Sequence, residues 1–111
     1  MQLQSVNEQV TSENLCLASS LILNERPMPI RFFYRETPQH ANDTGFRFYS
    51  GMESDDFLQT EDAALVAPLD CMVRLDASIK KFLESSIIGS VWERLPGNND
   101  WIPVTDYCIP E

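Results

Sequence analysis

Glu53, Asp55, Asp56, Glu61 and Asp62 fall within ten consecutive residues, the densest charge in the chain. Carboxylates at this density could ligate a divalent cation, share a proton as an acid–base pair, or present a negative surface to a cationic partner. An EF-hand loop needs alternating oxygen ligands and a terminal bidentate glutamate, and the segment has neither. Paired carboxylates for glycoside hydrolysis are nonspecific in a chain that is acidic everywhere. Electrostatic recognition is the chemistry left, and these five residues are the candidate partner-binding set. Ser54 offers a local alternative for two of them: as an N-cap it would place Asp55 and Asp56 at the positive end of a short helix.

The other reactive residue types give no catalytic pattern. Cys16, Cys71 and Cys108 are odd in number, widely spaced and without a Cys-x-x-Cys pair, so they are expected to be reduced, with no disulfide framework. With His40 as the single histidine, a structural zinc site is not expected, and His40 reads as a solvated loop residue. The glycines at 45, 51, 89 and 97 are scattered, which rules out a glycine-rich phosphate loop. No catalytic residue, metal or cofactor is expected. Arg31, Arg35 and Arg47 read either as a small basic patch for a carboxylate or phosphate or as partners of the protein's own acids. Trp92 and Trp101 read as surface anchors or as core and cross-hairpin packing.

Composition narrows the partners. The 111 residues suit one domain, and 43% apolar residues suit a single core. Net charge is −9, with four acids against three bases in residues 1–40 and thirteen against five in residues 41–111. That field repels nucleic acid and anionic membrane and steers a basic partner towards the C-terminal two thirds. No apolar run approaches the ~20 residues of a membrane helix. The start Met1-Gln2-Leu3-Gln4-Ser5 lacks a basic region and an apolar stretch, so a cytoplasmic location is expected.

The acidic run must be positioned by the elements around it. Residues 1–14 read as a polar tail or short helix, residues 15–104 as the domain, and residues 105–111 as a short loose tail. Leu15–Leu23 reads as a strand closed by the turn residues Asn24-Glu25-Arg26-Pro27. In the strand Ile30–Arg35, alternation sets Ile30, Phe32 and Tyr34 against Arg31, Phe33 and Arg35. After a loop through Pro38 and Asn42, Phe46–Tyr49 is expected to pair antiparallel with it. Phe46 and Phe48 would join the Ile30 face inside, and Arg47 would share the outer face with Arg31 and Arg35. Asp55–Gln59 reads as one helical turn, and Ala63–Pro68 and Cys71–Leu75 as strands. Asp76 would cap the clearest helix, Ala77–Ser85, with Ile79, Leu83 and Phe82 inward. Ser90–Leu95 and Trp101–Val104 form a hairpin across Pro96-Gly97-Asn98-Asn99-Asp100, with Pro103 on an edge. The expected fold is α+β: a mostly antiparallel sheet with one principal helix packed on it.

Two separated motifs carry a family resemblance. Asp43-Thr44-Gly45-Phe46-Arg47-Phe48, followed by Gly51-x-Glu53-x-Asp55-x-Phe57-Leu58, resembles the signature of the bacterial immunity-protein-thirty-three-like family, formerly a domain of unknown function. Its usual core is acid-Ser-Gly-Trp-Arg-Phe followed by Gly-x-Glu, so Thr44 and Phe46 depart from it conservatively. Ile79, Leu83, Ser85 or Ser86 and Gly89-Ser90-Val91-Trp92-Glu93-Arg94 extend the likeness, which spans Leu15 to Trp101. The resemblance implies a cytoplasmic protein that binds and neutralises a bacterial toxin, with no catalytic residue to carry over. Joined to the charge, it implies a toxin with a basic cleft. The alternative is a regulatory or housekeeping protein-interaction module with a different partner.

Overall fold

Strands form where aromatic and small apolar residues alternate, and the computed structural model, which describes residues 14–95, 97 and 100–110, gathers them into one sheet. The strands are β1 (Leu15–Ser19), β2 (Phe32–Arg35), β3 (Asp43–Tyr49), β4 (Ala64–Pro68), β5 (Val91–Glu93) and β6 (Ile102–Pro103). Their order is β4-β1-β3-β2-β5-β6. Among the described residues three short helices accompany them: α1 (Asp55–Leu58), α2 (Leu69–Leu75) and α3 (Lys80–Ser85), the last preceded by a 3₁₀ turn at Ala77–Ile79. The expected tail or helix over residues 1–14 lies outside the described residues, Asn14 excepted.

The α+β class holds, with two corrections. The sheet is mixed, because β3 inserts between β1 and β2 and runs parallel to β1. β2 and β3 are antiparallel neighbours joined by a short loop. A strand on the far side of β3 that points opposite to β2 must therefore be parallel to β3. Among the described residues the helix content is shared among short pieces, and no helix is principal. Residues 71–75, expected as a strand, belong to α2. Pro68 closes β4 with φ −63° and ψ 139° and is the N-cap of α2, so the strand gives way to a helix there. Beyond it Leu69, Met72 and Val73 recur at helical spacing and pack against the core, while Asp70 and Arg74 suit the two ends of the helix dipole.

The other expected elements form, several of them shorter. β1 ends at Ser19, whose hydroxyl accepts a hydrogen bond from the Leu21 N–H and turns the chain. Ser54 caps α1 through the Phe57 N–H at 3.0 Å. Asp76 caps the 3₁₀ turn through the Ser78 N–H at 3.0 Å. Ile79 and Leu83 are buried and Phe82 is half-buried, while Lys80, Lys81 and Glu84 face solvent. β5 and β6 pair antiparallel, with Pro103 opposite Trp92 on the outer strand.

The faces of β2 are the reverse of the expected ones. Phe33 lies opposite Phe48, and Arg35 opposite Phe46. Paired residues share a face, so Phe33 joins the helix-side core with Cys16, Phe46, Phe48, Met72 and Ile79. Phe33 and Phe48 are fully buried, each contributing about 1.5–3 kcal/mol. Phe32 and Tyr34 lie on the opposite face with Tyr49. There the ring of Tyr107, from the C-terminal segment, packs 4.9 Å from Phe32 and 5.7 Å from Tyr34. Ile30 is buried as expected, but it precedes the strand and does not report its parity.

Candidate partner-binding surface

The signature motif folds into a knot of ionic and backbone contacts. Arg47 is 2% exposed and forks onto Asp43, donating from Nη1 to Oδ1 at 2.9 Å and from Nη2 to Oδ2 at 2.7 Å. Its Nε donates to Glu36. Asp43 also accepts from the Gln39 and Gly45 N–H groups, each at 2.9 Å. The Arg47 hydrogen bonds hold the Asp43 carboxyl far below the usual carboxylate range, against burial and with help from those two N–H groups. Thr44 closes the unit by donating to the Leu15 carbonyl at 2.7 Å. Gly45 has φ +90°, and a Cβ there would overlap the Glu36 carbonyl oxygen, so only glycine fits. These side chains are spent on joining β3 to β1 and to the loop after β2.

The arginines do not form a common patch. Arg47 faces away from the helix side, whereas Arg35 lies over the Phe46 ring at 4.8 Å. Arg35 also donates to the Thr44 and Ser86 carbonyls at 2.9 and 2.8 Å, and Arg31 donates to the Leu95 carbonyl. The tryptophans are likewise internal in their contacts. Trp101 is buried, packs 5.0 Å from Phe33 and donates to Ser78 Oγ at 3.1 Å. Trp92 packs 4.7 Å from Phe82 and donates to Ser86 Oγ at 3.0 Å.

The candidate acids divide into one held side chain and four exposed ones. Glu53 accepts from the Ser50 N–H at 2.9 Å, the Ser50 hydroxyl at 2.7 Å and the Gly51 N–H at 3.0 Å. Burial raises its pKa, but hydrogen bonds from Ser19 and Ser50 outweigh that and leave it lowered. Asp55 and Asp56 are exposed in the first turn of α1, and Glu61 and Asp62 are exposed in the turn that enters β4. The connection from β3 to β4 must pass β1, which lies between them. Glu61 and Asp62, at the end of the acidic segment, enter β4 directly and so lie at that margin of the sheet.

Two features of this margin escape sequence reasoning. Among the described residues β4 is the outer strand, with Leu65 and Val66 38% and 61% exposed. Asp70 is exposed just beyond it, at the start of α2. Exposed carboxylates therefore bracket the strand. Asp70 carried a signal in the sequence, an acid directly after Pro68-Leu69, but its relevance depends on β4 being outermost.

The remaining reactive residues assemble nothing further. Cys16, Cys71 and Cys108 are free, and burial pushes the Cys16 thiol up to about 12, which suppresses thiolate chemistry. His40 is exposed in the loop before β3. Among the described residues there is no cluster of three histidine, cysteine or carboxylate side chains able to hold a metal ion, and no helix is long and apolar enough to cross a membrane.

The family model for the immunity protein Imm33 domain matches residues 16–105, from β1 past β6. The chain belongs to the Imm33 immunity protein family. The match encloses both motifs, the ionic knot and the acidic segment. No curated protein and no solved structure matches the chain.

Proposed function

We propose that this Imm33 protein neutralises a cognate protein toxin by laying the acidic segment from Asp55 to Asp62 over a basic surface of the toxin. The observation that carries the reading is the exposure of Asp55, Asp56, Glu61 and Asp62 in a member of an immunity family. A toxin that acts on nucleic acid or nucleotides needs lysine and arginine to hold a polyanion. An acidic protein that covers those cations blocks the substrate without any chemistry of its own. Rim charges of this kind mainly speed association, through long-range steering that salt weakens. Neutralisation by occlusion suits a protein acting in the cytoplasm, where such a toxin would meet its substrate.

Co-expression with the toxin encoded by the adjacent gene tests the reading. Cells should survive, and the two chains should co-purify as a complex that weakens as salt rises. Failure to protect, together with no complex at low ionic strength, rejects it.

A further inference from the structure

The hydrogen-bond parity of β4 shows what its margin offers. The Ser20 N–H donates to the Ala63 carbonyl at 2.9 Å, and the Leu69 N–H donates to the Asn14 carbonyl at 2.7 Å. With Leu15 opposite Pro68 and Ser19 opposite Ala64, these are hydrogen-bonded pairs of one antiparallel ladder, and such pairs alternate along it. Ala63, Leu65, Ala67 and Leu69 therefore turn their backbone groups to β1. Ala64 and Val66 turn both N–H and C=O outward, whereas Pro68 has no N–H and, as the N-cap of α2, gives its C=O to the first turn of that helix. Among the described residues nothing pairs with the outward groups of Ala64 and Val66. Leu65 and Val66, on opposite faces of this edge, are exposed.

We propose that β4 receives an extended segment of the partner as an added antiparallel strand, with an apolar centre against Leu65 and Val66 and Lys or Arg at both ends. The proposal rests on the toxin-binding reading and names the mode of contact. Main-chain pairing to an exposed edge supplies affinity, and the flanking side chains supply selectivity. Glu61 and Asp62 lie before the strand and Asp70 lies after it, all exposed, so a basic residue at either end of the segment meets a carboxylate. The same layout disfavours a second copy of this chain. Two β4 strands paired about Val66 would set Asp62 of each copy opposite Asp70 of the other. They would also set Ala64 opposite Pro68, which has no N–H to donate. Edge proline and like charge are devices that block self-association, and both leave a basic strand welcome.

Amide hydrogen exchange at Ala64 and Val66 reads the contact directly. The probes are the peptide Lys-Val-Thr-Val-Thr-Val-Lys and its counterpart with Glu in place of Lys. Both amides should exchange freely in the protein alone and slow by about tenfold or more with the basic peptide only. Val66→Pro removes one outward donor without touching the β1 ladder, and should weaken the basic peptide by about tenfold. The acid-flank variant Asp62→Asn with Asp70→Asn should reduce the preference for the basic peptide. Protection already present without peptide means that this chain or a second copy occupies the edge, and overturns the proposal. Equal slowing by both peptides, no slowing by either, or unchanged affinity in Val66→Pro also overturns it. The same exchange measurement with the adjacent-gene toxin separates the two readings. A complex that leaves both amides unprotected removes the edge contact and keeps the immunity function. Peptide protection without any toxin complex does the reverse.

Discussion

At the scale of single residues, the signature motif is a device for burying a charge. Taking the Arg47 guanidinium out of water is costly unless it is paired and hydrogen-bonded, and Asp43 and Glu36 provide both. Asp43→Asn leaves Arg47 buried with half its fork unpaired, and should cost about 3–5 kcal/mol, read from the denaturation midpoint. The Asp43 carboxyl titrates far below the ordinary 3.8 when folded. Its contribution is therefore complete above about pH 4 and is lost as pH falls towards the folded value. Asp43→Asn should flatten the acid limb of the stability profile, and an unchanged limb would show that other groups govern acid unfolding. Gly45→Val should destabilise by about 1–3 kcal/mol, because it meets both the positive φ and the Glu36 carbonyl. A midpoint and slope equal to wild type would show the glycine to be replaceable. The sequence made Gly45 legible as a turn residue and Asp43 and Arg47 as motif members. It could not reveal that Glu36, eleven residues before Arg47, completes the pair, because loop closure brings them together.

At the scale of elements, legibility follows how local the deciding interaction is. Ser54 and Asp76 cap the elements next to them in sequence, and both were readable as caps. The faces of β2 were not, since Phe32, Phe33 and Tyr34 are all aromatic and alternation has no contrast there. The register against β3 decides the matter. Likewise 71–75 is too short for periodicity to separate strand from helix, and Pro68 together with packing on the core settles it as α2. Asp76 also reaches across elements: Arg94 Nη2 donates to its Oδ2 at 2.6 Å, and the Arg94 guanidinium lies 4.6 Å above the Trp101 ring. Asp76 thus ties the start of the 3₁₀ turn to the β5–β6 hairpin. Asp76→Ala removes cap and ion pair together and should cost about 1–3 kcal/mol. Asp76→Asn keeps a cap acceptor and should cost less. Equal losses in the two variants would place the whole effect in the ion pair.

At the scale of the whole molecule, net charge and topology act together. The excess of acid was plain in the sequence, but the placing of Glu61, Asp62 and Asp70 at one margin depends on β4 being outermost, which no local pattern encodes. The structure also separates the five candidate acids by task. Glu53 holds the loop at Ser50 and Gly51, so Glu53→Gln should disturb that loop and is a poor probe of binding. Asp55, Asp56, Glu61 and Asp62 are exposed, and changing each to its amide should cost within about 0.5 kcal/mol of stability. If these four supply the steering field, the quadruple variant should keep the wild-type denaturation midpoint within that allowance. Its association with the cognate toxin should slow and lose most of its salt dependence, while dissociation changes little, because rim charges act on encounter more than on the docked state. Stopped-flow association at low and high salt measures both quantities. A folded quadruple variant that associates at the wild-type rate in low salt would move the contact away from this margin. A variant that associates normally but dissociates faster would mean that at least one of these carboxylates is buried and hydrogen-bonded in the complex.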